Sequence, residues 1–559
     1  MLLQRGPGGV RRPTPDAGRA VPMERGVYFH IRKAPVRWPA RLSLHPSVSG
    51  PGHWTRPGRV SVAGLVLACL LLVACLPVIL TGTTRGRAAY DSLNYHEKAV
   101  RQFAQELPKP LLNDYLSATT PGYHLVLAVV GRAAGIGADG RSAYETNLTP
   151  APPDRHIEAQ RRVLLVTGLG FSLALVYLIG HWSERRIGAG GHEPGPALAA
   201  VCLALPLIGS PYLYQSAAWL LPDNSAWLGV AAILLLALRP RAGVVTLTVM
   251  GAVLVCLVLS RQVHLWAAGL VWAAAWLSAS LPADRVGGPL LSSRDLFAAG
   301  RAGAVAGRLS VAVLCTIPAF AVLGWFWSMW NRQLVPPTFT SWHRAGVQGA
   351  TPAFILGLFA VLAPFFGGWL WAGLQRAWRD HRGWVLGAAT AGLLLAVVPA
   401  SAWDFDNGRF GGVWQFYRRA GDIAGRSLAL MVLAPVGAAA VVAALAEMSA
   451  RRRWVMLGAL VGFALANSAN PQLWQRYHEP FVLLWLIVAS ALSAGGAGRG
   501  EEPGPIRPWK LAGPVVLALI MGVVSVAMVA GKKPEHDKMH RLGVIETPPH
   551  LVPPSERPK

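Results

Sequence analysis

Residues Val60–Thr81 read VSVAGLVLACLLLVACLPVILT, and a short basic link leads from them to residues Ala89–His124, AYDSLNYHEKAVRQFAQELPKPLLNDYLSATTPGYH. The first run carries no charge and is long enough to cross a hydrocarbon core of about 30 Å. A crossing there delivers the second run, with Asp91, His96, Glu97, Asp114 and His124, to a membrane surface. From Leu93 onward Leu93, His96, Val100, Phe103 and Leu107 recur every three or four residues, the stripe of a helix lying on a surface. Pro108 and Pro110 stop that helix, and Asn113–Pro121 reads as a loop feeding a short apolar segment through Thr119, Thr120 and Gly122.

Composition extends this reading to the whole chain. The 559 residues are 53% hydrophobic and 14% charged, with 22 Trp, and the mean hydropathy is +0.39. That is more apolar surface than a soluble core of this length needs, and it marks a polytopic membrane protein. The net charge of +25 raises nucleic acid as a partner, but the arginines gather at the N-terminus and in short loops between apolar runs, where they orient a membrane protein. All five cysteines lie inside apolar runs, so neither a disulfide framework nor a metal site is indicated. Leu72–Cys75 spells a lipoprotein-like cleavage box, which the long series of apolar runs downstream argues against.

Residues 1–59 are rich in Arg, Pro and Gly without apolar periodicity and are expected to be a disordered cytoplasmic leader; residues 531–559 are expected to be a disordered polar tail. Between them, residues 60–530 form the membrane domain, with residues 83–120 as its first outer loop. After Val60–Thr81 the candidate spans are Val163–Trp182, Pro196–Ile208, Ala226–Leu238, Ala242–Ser260, Leu265–Leu281 and Leu309–Trp327. Ala353–Leu374, Val385–Val398, Leu428–Leu445, Val455–Ala466, Phe481–Ser493 and Leu511–Ala530 follow, an all-α fold of about thirteen transmembrane helices. If Val163–Trp182 returns to the cytoplasm, the loops with Arg185 and Arg186, Arg239 and Arg241, Arg294–Arg308, Arg376–Arg382 and Arg451–Arg453 are all cytoplasmic. That parity requires Pro121–Val130 to be re-entrant, interfacial or paired with a further span. It also gathers Asp223, Arg261, His343, Asp404, Asp406, Arg476, His478 and Glu479 on the outer face with the Tyr90 stretch, which makes the working face extracytoplasmic.

Each polar candidate has a structural alternative. Asp91 can take a proton from a hydroxyl acceptor as general base, or cap the helix that follows. Asp114 can bind a sugar hydroxyl or a metal, or close an Asx-turn. Asp223 can serve a site or cap the next helix. Arg261 and Arg476 stand at outward membrane edges, where guanidinium forks match phosphate oxygens; Tyr477, His478 and Glu479 crowd the same turn as Arg476. Trp342–His343 and Asp404–Phe405–Asp406 can line a sugar site or serve as interfacial belt and turn residues. Asn147–Leu148–Thr149 is a glycosylation sequon.

With these residues in view, the chain resembles the GT-C membrane glycosyltransferases, and among them the dolichyl-phosphate-glucose-dependent alpha-1,2-glucosyltransferase family. The likeness rests on Asp91, Tyr95–His96, Asp114 and Thr119–Thr120–Pro121–Gly122–Tyr123 in the first loop. Weaker echoes lie at Asp223–Asn224–Ser225, Arg261–Gln262 and Arg476–Tyr477 before Pro480. Ser92 stands where the family's motif has Glu, and the step from Asp91 to His96 is one residue longer. The resemblance implies an inverting transfer of a sugar, glucose in that family, from a polyprenyl-phosphate donor to a hydroxyl of a glycan or lipid-linked glycan on the extracytoplasmic face. His96, Asp114, Thr119, Thr120, Asp223, Arg261, Arg476, Tyr477 and Glu479 would then contact substrate, with Asp91 as base. No nucleotide-binding motif stands on the cytoplasmic side, and no metal is assigned. The rival classes are a secondary transporter, whose gates the outer loops would be, and a non-catalytic membrane assembly protein.

Overall fold

The computed structural model describes residues 60–81, 89–137, 155–189, 195–281, 302–340, 346–405, 408–409, 412–494 and 507–530. The expected disordered leader and tail, the sequon, Trp342, His343 and Asp406 lie outside the described residues. Among those described, eight helices are long and apolar enough to cross a membrane; a ninth span results if the pair Pro196–Gly209 and Pro211–Ala218, bent by 74°, counts as one. The chain is an all-α multi-pass membrane protein, and its only described strands are the two-residue ladder Asp422–Ile423 with Arg426–Ser427.

The apolar runs read from sequence are all helical, yet they supply fewer clear spans than the roughly thirteen expected. Asp223–Ala237 and Val244–Ser260 have 15 and 17 residues. Pro206 and Pro211 divide the segment that begins at Pro196, because each proline removes a backbone donor. Thr351–Val397 runs for 47 residues but leaves helical geometry at His381 (φ −141°, ψ 32°). Val385 packs with Ala377 on one side of that break, and Gly349 faces Pro399 at the far end. The chain therefore reverses at His381.

Close helix crossings depend on small residues, as membrane interiors require. A Cβ on Gly180 would lie 2.7 Å from Leu67 and 3.0 Å from the Gly64 backbone. That contact lets Val62–Thr81 run antiparallel to Arg155–Gly188. Gly437 plays the same part against the Leu356 carbonyl.

Charge divides the helix bundle into two ends. At one, Glu184 accepts hydrogen bonds from the Ser61 hydroxyl and, at 3.0 Å, from the Ala63 N–H, so the start of helix Val62–Thr81 is capped by a carboxylate from the end of Arg155–Gly188. Arginines at this same end donate to the last carbonyls of other helices. Arg308 Nη1 reaches Ser278 O at 3.3 Å, Arg451 Nη2 reaches Ala237 O at 3.3 Å, and Arg453 Nε reaches Leu445 O at 3.1 Å. A guanidinium there meets orphan carbonyls and the negative end of a helix dipole together. Arg186 and Arg376 lie within electrostatic reach of Arg452 and Arg453. The arginine-rich segments thus converge on one end of the bundle.

The opposite end holds the polar stretch after Thr81. Helix Gly122–Ala133, 12 residues long, is the segment whose crossing the sequence left open, and it does not cross. Along helix Arg155–Gly188 its neighbours run back from Gly168, under the Tyr123 hydroxyl, to Leu164 beside Gly131, and then to His156 beside Gly135. It dips in after Thr120 and returns toward the same face.

A cysteine placed at exposed Gly188 or Gly383 should react with an impermeant maleimide from one side of sealed vesicles, and a cysteine at Asn113 only from the other. Labelling of Gly188 and Asn113 from the same side would break the two-ended arrangement.

Candidate functional site

Tyr90 opens a helical segment that passes through a π turn, Ser92–His96, into helix Glu97–Glu106. The wider turn of a π segment shifts the side chains that follow it, and such turns recur at functional sites. Asp91 has helical geometry (φ −64°, ψ −38°) and its side chain caps no backbone N–H, so the capping alternative is not realised. Its carboxylate pairs with Arg476, 385 residues further along the chain. This pair joins the first loop to the start of helix Glu479–Ala494.

A second ion pair stands beside it. Arg261, which ends helix Val244–Ser260, pairs with Asp223 at the start of Asp223–Ala237. Tyr477 links the two pairs: Arg476 Nη2 donates to its hydroxyl at 3.3 Å, and the Arg261 guanidinium lies 4.7 Å from the ring centroid. Arg476 lies 5.2 Å from the Trp474 ring as well. Cation–ring contacts of this kind hold guanidinium planes in fixed directions. The side chains of Asp91 and Arg476 are 23% and 18% exposed, and those of Asp223 and Arg261 10% and 12%. The cluster therefore keeps a route to solvent while most of its charge is withdrawn from water.

His96 lies at the same place. Its Nδ1 is 2.9 Å from Nε2 of His124, the rings stack at 5.1 Å, and burial, then the charges of Arg476 and Arg261, pushes its pKa down to about 3. A neutral imidazole results at physiological pH, one ring of the pair donating and the other accepting.

Neighbouring polar groups fix these side chains. Ser92 Oγ accepts from Leu220 N–H at 3.1 Å. The Asn224 amide donates to Ser172 Oγ and Leu213 O, both at 2.8 Å. Gln262 ties three segments together: its Oε1 accepts from Thr120 N–H at 3.1 Å, and its Nε2 donates to Ala118 O and Leu334 O at 2.8 Å. Glu97 is fully buried and bridges Arg101 at 3.0 Å and Arg161 at 2.8 Å. Burial alone would raise its pKa, but Arg161 and Arg101 hold it below the usual carboxylate value. Helix Glu97–Glu106 is thereby locked to Arg155–Gly188.

Asp91, His96, Asp223, Arg261, Arg476 and Tyr477, all candidates from sequence, thus meet in one cluster. Four other candidates have protein partners instead. Asp114 accepts from Thr338 N–H at 3.0 Å and Thr338 Oγ1 at 2.7 Å. Thr119 Oγ1 bonds Ser117 Oγ at 3.0 Å, and fully buried Thr120 donates to Val258 O. Glu479, 2% exposed, accepts from Ser210 Oγ at 2.9 Å and from Gln475. These four hold loops in place, since a buried polar atom without a partner is costly. Among the described residues no group of three or more His, Cys, Asp or Glu is placed to hold a metal ion.

Glu97, His124 and Gln262 are visible in the sequence as polar residues, but their partners Arg161, His96 and the Thr120, Ala118 and Leu334 backbones appear only once the chain is folded. Arg101, four residues after Glu97, was a visible helical partner; Arg161 was not.

Two guanidiniums, each matched by a carboxylate and set around one phenol, make a site where an anion can replace a carboxylate at either arginine. The carboxylate released is then free to take a proton. Comparisons with protein-family models, with curated proteins and with solved structures find no match to this chain.

The depressed His96 pKa sets a pH dependence. The unfolded chain takes up a proton near the ordinary value of 6.5 whereas the folded chain resists until about 3, so stability is full above 6.5 and falls as pH drops through that window. In denaturant titrations from pH 7 to pH 4, His96→Asn should lose stability with acid less steeply than the unsubstituted protein, by up to about 1.4 kcal/mol per pH unit. Equal slopes would mean that His96 titrates normally.

Proposed function

We propose that this protein is a polyprenyl-phosphate-sugar-dependent glycosyltransferase with a GT-C-like architecture of about thirteen spans, acting on the extracytoplasmic face. The observation that carries the reading is the meeting of Asp91, Arg476, Tyr477, Arg261 and Asp223 at the bundle end opposite the gathered arginines. Short arginine-rich loops favour the cytoplasm, which supports reading that end as cytoplasmic and the cluster as extracytoplasmic. The first-loop resemblance supplies the chemistry.

A phosphodiester donor brings one negative charge to the two guanidiniums. It competes with Asp91 for Arg476, which frees a carboxylate beside the sugar. The acceptor hydroxyl attacks the anomeric carbon as its proton passes to Asp91. A new C–O bond forms on one face while the bond to phosphate breaks on the other, so the configuration inverts. One carboxylate suffices, because no covalent sugar intermediate forms. The charge growing on the leaving phosphate rests on Arg476 and Arg261, which are already oriented by Tyr477 and Trp474. Pairing with Arg476 keeps the Asp91 carboxylate engaged until the donor arrives, and this couples its release to donor binding.

One observation favours a second reading. The helix broken between Gly209 and Pro211 brings Ser210 to buried Glu479, and broken helices with an ionisable partner line substrate paths in secondary transporters.

Membranes containing the protein should move radiolabel from a polyprenyl-phosphate sugar to an organic-soluble or glycan acceptor, whereas solute uptake into sealed vesicles without sugar transfer would favour the transporter. In the same assay Asp91→Asn should keep donor binding and lower turnover by roughly a hundredfold or more. Arg476→Lys should weaken donor use and Arg476→Ala should weaken it further, because Lys keeps charge but not the fork. Unaltered turnover in Asp91→Asn would remove Asp91 from the chemistry.

A further inference from the structure

Between the end of helix Gly367–Val397 and the start of Leu428–Ala446, residues 413–427 form a compact arm: helix Val413–Arg419, a turn, and the ladder Asp422–Ile423 with Arg426–Ser427. Its two faces differ sharply. On the inner face Trp414 is fully buried, stacks on Phe354 at 4.7 Å and donates from Nε1 to Leu473 O at 3.0 Å. Tyr417 packs edge-on against both rings. The Val413 N–H donates to Gln475 Oε1 at 2.7 Å, one residue from Arg476.

The outer face carries large apolar side chains instead. Phe416 and Ile423 are each 62% exposed; Arg419 is exposed, and Arg418, exposed as well, lays its guanidinium 4.3 Å from the Trp403 ring centroid. Ala424 and Gly425 turn the hairpin with φ of 50° and 75°, the left-handed pair that a tight two-residue turn needs, and so set Ile423 at the tip. Arg426 Nε donates to Val397 O at 3.1 Å, which pins the hairpin to the last turn of an apolar helix. The tip therefore sits level with a helix end.

We infer that this arm is a membrane-docking element: Phe416 and Ile423 enter the boundary between headgroups and acyl chains, and Arg418 and Arg419 meet anionic headgroups. Charge decides the occupant. The arm exposes two arginines, one of them stacked on Trp403, against Asp422 and together with apolar tips, the pattern of an interfacial element on anionic lipid. A protein partner would instead meet a flat patch with a polar rim. Through Val413 and Trp414 the docked arm holds the 473–475 segment beside the ion-pair cluster, so leaflet composition bears on that segment's position. The inference stands on the arm's own geometry and does not require sugar transfer.

The test places a small environment-sensitive fluorescent amino acid at position 423 of the full chain, reconstituted in phosphatidylcholine nanodiscs with and without phosphatidylglycerol. The dye should be quenched by lipids bearing a shallow nitroxide and be shielded from iodide by roughly threefold relative to the free dye. Both effects should grow with phosphatidylglycerol, and the Arg418→Gln, Arg419→Gln double variant should lose that growth. A dye at position 416 gives the same readout should a label at 423 disturb the turn. Iodide access equal to the free dye, with no nitroxide quenching, overturns the inference. So does shielding from iodide without nitroxide quenching, which would mean that protein covers the tip.

Discussion

A charge cannot rest in hydrocarbon without a partner, and this one constraint sorts the polar residues of the chain to the ends of its apolar helices. At one end the arginines find helix C-terminal carbonyls, as Arg308, Arg451 and Arg453 do. At the other, both signs of charge occur, and they pair across the bundle as Asp91 with Arg476 and Asp223 with Arg261. The first arrangement satisfies backbone groups. The second leaves side chains with a route to solvent, poised against one another, and is where a ligand can intervene.

How far this was legible in the sequence depends on the range of each interaction. Apolar runs announce helices because burial and backbone satisfaction are local demands, and arginine-rich loops announce their common side for the same reason. The residue types of the cluster were visible as well: Asp91, Asp223, Arg261, Arg476 and Tyr477 are polar groups at the edges of apolar runs. Their pairing was not, since nothing near Asp91 specifies a partner 385 residues away. Asp114 shows the converse. Its partner Thr338 lies in a loop with no local mark, so a carboxylate that looks available in sequence is engaged in the fold. Pro206 and Pro211 mark the break at Ser210 locally, and the reversal at His381 falls within the Arg376–Arg382 loop read between two apolar runs.

Much of the polar machinery around the cluster holds loops rather than ligands. Gln262 binds the backbones of the first loop and of the segment before Pro336, while Glu97 fixes the first loop's helix to Arg155–Gly188. Both act one residue from a cluster member, Arg261 or His96. Rigid support of this kind lets two ion pairs keep a partly desolvated geometry without collapsing onto each other.

The account turns on that one contact between the first loop and the last. A protein with cysteine at both position 91 and position 476, treated in membranes with a short bis-maleimide and digested, reports it directly by peptide mass, because the contact is made by the ends of an Asp and an Arg side chain and leaves a gap wider than a disulfide spans. The arrangement described here yields a peptide joining residue 91 to residue 476. Cysteines at 91 and 476 cross-linked only to other partners, with no such peptide, would contradict it.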